Sequence, residues 1–199
     1  MSDLENKNGP WTIQSTKTAY ENPWIKVDHN EVTHPNGDPG IYGVVRFQNR
    51  AIGVLPIDDE GRVWLVGQHR FAFDAYSWEL PEGGVPLSED PLEGAKRELR
   101  EETGFCADHW IEMNRFQVSN SVTDEEGVCY LAYGLRAGEA MPDASEELQI
   151  KRIPFRDLLE HVMSGEFTDS LTIIMVLFAR EMALRGKLPA PICKVIVDK

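Results

Sequence analysis

An α/β/α sandwich around a mixed sheet, preceded by a small antiparallel β-sheet, is the fold that this 199-residue chain predicts. Three observations lead there. Short runs rich in β-branched and aromatic residues recur between turn signals from Trp24 to Leu135. One helix with signals at both ends, Asp90 to Gly104, interrupts them. Two apolar segments, each closed by a glycine, then follow near the C-terminus.

Taken in order, Trp24 to Val32 alternates loosely, turns at Pro35-Asn36-Gly37-Asp38 and resumes from Ile41 to Phe47, a hairpin pattern. Ile52 to Ile57 and Arg62 to Gln68 flank Asp58-Asp59-Glu60-Gly61 and are expected to form a second hairpin. Ser77 to Leu80 is a short strand leading into Gly83-Gly84. Strands are expected near Trp110 to Val118, Val128 to Leu135 and Gln149 to Ile153. Phe155 to Ser164 and Ser170 to Arg185 read as helices ended by Gly165 and Gly186. Residues 1–48 form the small sheet and residues 49–199 the main domain, with no composition shift to sharpen the join.

The central helix carries the chemistry. Asp90 is a good N-cap, Pro91 suits the first helical position, and Glu93 completes a D-x-x-E capping box. Gly104 stands where a left-handed residue closes the helix. Leu92, Ala95 and Leu99 make a narrow apolar stripe, with Glu102 on its edge, Glu98 next and Glu101 further out. The carboxylates therefore line the rim between core and solvent. Glu98 and Glu102 at i, i+4 repel by roughly 0.2–0.5 kcal/mol. A chain that nevertheless gathers three carboxylates is arranging oxygen ligands for a hard cation, Mg2+ first and Mn2+ second. Arg97 precedes Glu101 by four residues and can hold it in place.

Composition narrows the partners. The net charge of −13 argues against nucleic acid, whose phosphates need Lys and Arg. An acidic protein acting on an anionic substrate instead needs cations between them. Cys106, Cys129 and Cys193 have no metal-ligand spacing, are expected to be free and suit a reducing cytoplasm. The first residues show no apolar signal stretch. The longest apolar run, Leu171 to Ala179, is far short of the roughly 20 residues that span a bilayer, and no membrane partner is expected.

Residues 83–105 read G-x5-E-x7-R-E-L-x-E-E-x-G-F, with Gly83, Glu89, Arg97, Glu98, Glu101, Glu102 and Gly104 in fixed places. This matches the Nudix box, and the chain resembles the Nudix hydrolases, which cleave a nucleoside diphosphate linked to another moiety. The resemblance implies that Glu98, Glu101 and Glu102 bind Mg2+ and that the backbone carbonyl of Glu82 adds a ligand. Gln68-His69-Arg70-Phe71 and Trp78-Glu79-Leu80-Pro81-Glu82-Gly83-Gly84 extend the likeness to the ADP-ribose and nucleoside diphosphate sugar pyrophosphatases. Arg70 and Glu79 would then line the cleft, Arg70 as a fork for two diphosphate oxygens.

That subgroup carries P-G-x-T/S-D-E beyond the box, where this chain has Ser119-Asn120-Ser121-Val122-Thr123-Asp124-Glu125. Strict ADP-ribose specificity is therefore not implied, and GDP-mannose or a broad range of nucleoside diphosphate sugars is comparable. The resemblance places the general base on a late loop, where Glu146 is the first choice and Glu147 the second, with Glu101 also counted among the catalytic groups. It makes the N-terminal sheet a base clamp, with Trp24 and Tyr42 as its rings and Arg46 as a substrate contact, partly across a homodimer interface. The alternatives are a nucleotide-sugar-binding regulator without catalysis, or a dinucleotide or dinucleoside polyphosphate pyrophosphatase.

Overall fold

The computed structural model describes residues 6–138 and 148–197. In chain order its elements are β1 (Lys7–Asn8), β2 (Trp11–Glu21), β3 (Ile25–Thr33), β4 (Pro39–Phe47), β5 (Asn49–Pro56), β6 (Arg62–Arg70), β7 (Ala75–Glu79), β8 (Glu82–Pro86), α1 (Pro91–Thr103), β9 (Phe105–Gln117), β10 (Glu126–Ala137), β11 (Gln149–Pro154), α2 (Phe155–Met163), α3 (Ser170–Leu184) and α4 (Ala190–Val197). They fall into two compact units. One comprises the chain up to Arg50 together with Gln117–Glu126, and the other holds the remainder.

The first unit is an antiparallel sheet in the order β1-β2-β3-β4. The β3–β4 hairpin is the one its turn chemistry predicts, with Thr33 opposite Pro39 and Gly37 at φ 92°. The sequence reading omitted β2, whose Thr, Ser and Lys residues carry no apolar alternation and are mostly exposed. Residues 117–126, distant in sequence, complete this unit. Ser119 accepts from the amides of Val122 and Thr123, and Val45 donates to Val122 and accepts from Asp124. Thr123-Asp124-Glu125 thus keeps a built turn without the proline and glycine.

The second unit contains two sheets, ordered β8-β5-β10-β9 and β11-β6-β7. β5 and β10 run parallel, Ile52 beside Val128 and Leu55 beside Leu131. Both are buried on both faces, as parallel strands are. Ile52, Val54, Val128, Tyr130 and Ala132 point to α1, where Ala95 and Leu99 meet them. Leu55, Cys129 and Leu131 point the other way, into the cluster that holds Met175, Val176 and Ala179 of α3 and Leu158 of α2.

Here the expected second hairpin fails. β5 and β6 belong to different sheets, and their pairing stops at the turn, with the bridge of Ile57 to Val63 and the Asp58 amide donating to Arg62 O. The Asp58–Gly61 turn is real, with Asp58 Oδ1 accepting from the amides of Glu60 and Arg62. β5 is buried along most of its length and takes the apolar β10 as its parallel neighbour, a partner far along the chain that local turn chemistry cannot reveal. The short helix α4 was also missed, and its Ile192, Val195 and Ile196 complete the larger core.

Gly94 lets α1 approach β8. A Cβ there would lie 2.4 Å from Val85 Cγ2 and 3.0 Å from its Cβ. Helix propensity favours alanine by about 1 kcal/mol, but overpacking against a stiff β-branched side chain costs about 1–3 kcal/mol. Gly94→Ala is therefore expected to lower the melting temperature. The double variant with Val85→Ala should lose less than the sum of the two single changes, measured by thermal denaturation.

Candidate functional site

The site begins with how α1 is anchored. Asp90 accepts from the amides of Leu92 (3.0 Å) and Glu93 (3.2 Å), satisfying two orphan donors of the first turn. The reciprocal half of the capping box does not form, because Glu93 pairs with Lys96 at 2.7 Å. Gly104 closes the helix at φ 72°, donating to Arg100 O. These ends fix the rotation of the helix and turn Glu98 and Glu102 inward, where they are 8 % and 6 % exposed.

Glu101 stays at the rim, as its place on the helix predicts. Arg97 binds the outer charges together, reaching Glu98 (2.7 Å), Glu101 (3.0 Å) and Glu89 (3.5 Å). Glu89 therefore stands in its position to hold Arg97. Opposite the helix, Glu102 Oε2 accepts from the Glu82 amide at 3.0 Å. Gly83 faces Glu98 so closely that a Cβ would lie 2.2 Å from Glu98 Oε2. The donor set is all oxygen, packed against a backbone with no side chain between, and it suits a hard cation. Glu98 and Glu102 thus meet the Glu82–Gly83 backbone, while Glu101 stays outside with Arg97.

A second carboxylate group adjoins the first. Glu79 (2 % exposed), Glu82 and Asp169 have ligand oxygens within 4.8 Å of one another. Arg70 offsets their charge: its Nε donates to both Glu79 oxygens at 3.0 and 3.1 Å. Its Nη2 reaches Glu79 and, at 2.8 Å, Glu82. The fork expected for a diphosphate is thus engaged by carboxylates, and only Nη1 is without a partner among the described residues. Burial, then the neighbouring Asp169 and Glu79, push the Glu82 carboxyl well above the ordinary carboxylate range, while Arg70 pulls it down. Burial and the same acidic neighbours Glu82 and Asp169 push the Cys129 thiol up to about 12. All three cysteines are free.

Asp169 is not legible as a site residue in the sequence. Its only signal was an N-cap residue type one place before an apolar helix. It does cap α3, accepting from the Thr172 amide at 2.6 Å, and its carboxylate meets Glu79 and Glu82 from a position about ninety residues later in the chain.

In the N-terminal unit, a cavity of about 390 Å³ opens among Trp11, Ile13, Asn30, Tyr42, Arg46 and residues 120–123. Tyr42 donates its hydroxyl to Ser121 O at 2.5 Å and meets Trp11 edge-on, ring centroids 5.4 Å apart. Asn30 is fixed between Thr16 (2.7 Å) and Tyr42 O (2.9 Å). Arg46 bridges Asp28 (3.5 Å) and Asp124 (3.2 Å). Tyr42 and Arg46 therefore share this cavity, but Trp24 does not line it. Trp24 is 65 % exposed in the connection before β3, and the ring beside Tyr42 is Trp11. The reason is register: Tyr42 lies opposite Asn30 on β3 and faces the start of β2, whereas Trp24 precedes β3. Glu146 and Glu147 lie outside the described residues.

The profile of the NUDIX domain matches residues 47–170, and that of the nucleoside diphosphate sugar hydrolase N-terminal domain matches residues 11–45. A CMP-5'-(N-acetyl-N-hydroxy-3-aminopropyl)phosphonate hydrolase of Streptomyces rubellomurinus is 28 % identical, over 84 % of this chain and 81 % of its own. An ADP-ribose pyrophosphatase of Mycobacterium tuberculosis is 28 % identical, over 93 % of this chain and 90 % of its own. Among solved structures, an ADP compounds hydrolase shares the fold at a TM-score of 0.80 and 20 % identity, covering 89 % of this chain and 97 % of that one. No helix among the described residues is long and apolar enough to cross a membrane.

Gly83→Ala gives a direct check of the cradle. The clash falls on the tip of a flexible side chain, so the fold should survive with a melting temperature within about 3 °C. Glu98 should be displaced, and Mn2+ affinity, read by paramagnetic resonance titration, should fall by roughly tenfold or more.

Proposed function

The chain belongs to the Nudix hydrolase family, and on that premise we propose that it hydrolyses the diphosphate bond of nucleoside diphosphate sugars. The products are a nucleoside monophosphate and a sugar phosphate. The observation that carries this reading is the burial of Glu98 and Glu102 against the Glu82 amide and the bare backbone at Gly83. Such a set of oxygens is costly to desolvate without a cation. All three box glutamates are present, which favours an enzyme over a regulator that has lost its chemistry.

Glu98, Glu101, Glu102 and the carbonyl of Glu82 would hold Mg2+, with Mn2+ as the alternative. When bound, the cation neutralises diphosphate charge and makes a coordinated water more acidic. The protein's own groups do the rest. Arg70, held by Glu79, offers Nη1 to a phosphate oxygen. Glu146 accepts the proton of the attacking water while the new P–O bond forms and the bridging P–O bond breaks, with Glu147 in second place. Cytoplasmic placement fits the three free thiols.

The named relatives carry different nucleotides in their names, CMP in one and ADP-ribose in the other, so their likeness supports the reaction class more than one substrate. ADP-ribose and GDP-mannose are both candidates. The N-terminal cavity supports base recognition by Tyr42 and Arg46 with Trp11, while Trp24 stays available as an exposed ring for a face completed by a partner. We place that sheet in a homodimer, each copy serving the other's substrate. Most soluble homo-oligomers are twofold dimers, and Trp24 and Ile41, each 65 % exposed, are costly apolar surface in a monomer.

The test is a panel of nucleoside diphosphate sugars, dinucleotides and dinucleoside polyphosphates with Mg2+, scored for monophosphate release. Glu102→Gln should lower turnover by several orders of magnitude with little loss of folding. Glu146→Gln should depress kcat far more than it changes KM, because a base acts in the transition state. Full activity in both variants would overturn the assignment. Light scattering should give twice the chain mass. Trp11→Ala should raise KM by roughly tenfold, the worth of one stacked ring, with kcat nearly unchanged, and a monomer with an unaltered KM would remove the base-clamp reading.

A further inference from the structure

We infer that Thr172, at the start of α3, is a positioning residue that sets the Glu82 end of the cation cradle. This rests on the functional reading above and adds to it a group that touches neither cation nor substrate.

The segment at issue is Leu80-Pro81-Glu82. Leu80 and Pro81 lie between β7 and β8 and belong to neither, so no ladder fixes them. Three hydrogen bonds from three different elements do so instead. The Leu80 amide donates to Thr172 Oγ1 at 2.9 Å. Pro81 O accepts from the Val54 amide of β5 at 2.8 Å. The Glu82 amide donates to Glu102 Oε2 of α1 at 3.0 Å. A non-ladder crossing is thus held from α3, from the central sheet and from the box helix at successive residues.

The Thr172 bond is the one a hydrophobic core would not supply by default. Thr172 and Leu80 are both 0 % exposed. Thr172 sits in an apolar helix start, Ser170-Leu171-Thr172-Ile173-Ile174-Met175, where valine would match its shape. The helix does not need its hydroxyl as a cap, because Asp169 already accepts from the Thr172 amide. The hydroxyl answers the Leu80 amide, which has no other acceptor among the described residues and whose burial unpaired would be costly. Asp169, one turn earlier, stands against Glu79 and Glu82. The first turn of α3 therefore braces both the backbone and the carboxylates of the segment that faces Glu98 and Glu102.

The test compares Thr172→Val with Thr172→Ser in the full chain. Valine keeps the volume and removes the acceptor, while serine keeps the acceptor and removes a methyl. In Thr172→Val, amide hydrogen exchange should rise at Leu80 and Glu82 selectively, with α1 and β10 still protected. Mn2+ affinity should fall by roughly tenfold, and kcat by roughly tenfold to a hundredfold with KM changed less than about twofold. Thr172→Ser should restore exchange, affinity and kcat to near the parent values. The inference is overturned if Thr172→Val keeps its Leu80 and Glu82 protection, if protection is lost uniformly across the domain, or if serine fails as valine does. A parent enzyme without Mg2+-dependent hydrolysis would count against the functional reading alone, since exchange and Mn2+ titration still decide the brace.

Discussion

Glu98 and Glu102 are like charges one turn apart on the same helix, and both are turned inward. That is a doubly unfavourable arrangement, through mutual repulsion and through desolvation. Much of the second unit reads as its consequence. Arg97 draws charge from Glu98 outward and is steadied by Glu89 and Glu101. The Glu82 amide satisfies one oxygen of Glu102. Gly83 leaves the room that a carboxylate needs. The caps at Asp90 and Gly104 fix the helix so that the two carboxylates cannot rotate into water.

The neighbouring cluster solves a similar problem by a different route. Glu79, Glu82 and Asp169 are brought together from two separate stretches of chain, and Arg70 spans two of them. Burial first, and then the charges of Asp169 and Glu79, hold the Glu82 carboxyl above the ordinary carboxylate range against the pull of Arg70. Arg70 is thereby held rigid, with its remaining arm the one group of that cluster free to meet an anion among the described residues.

What could be read from the sequence was what is local. The box helix, its end residues Asp90 and Gly104 and the β3–β4 hairpin follow from spacing and turn chemistry within a dozen residues, whereas Glu98 and Glu102, expected at the rim, lie buried. What could not be read depends on partners far along the chain. β5 looks like half of a hairpin until β10 offers it a fully apolar neighbour. Asp169 and Thr172 look like an ordinary helix start until the fold sets them against Leu80 and Glu82. Trp11 and Trp24 are equivalent as sequence, and only strand register decides which one shares a cavity with Tyr42. β2 is polar and exposed from Gln14 to Thr18 and is a strand because β1 and β3 supply its hydrogen bonds.

The N-terminal unit is also assembled from pieces that are made at different times. Tyr42 and Ser121, joined by one hydrogen bond, are 79 residues apart in sequence, and the wall of the cavity at residues 120–123 emerges from a ribosome well after the sheet it covers. During synthesis the sheet must persist with its aromatic face open, or wait unformed, until β9 has been made. Closing so long a loop is slow relative to forming the local hairpin. The hairpin of β3 and β4 can therefore be complete long before the cavity it helps to line has its last wall.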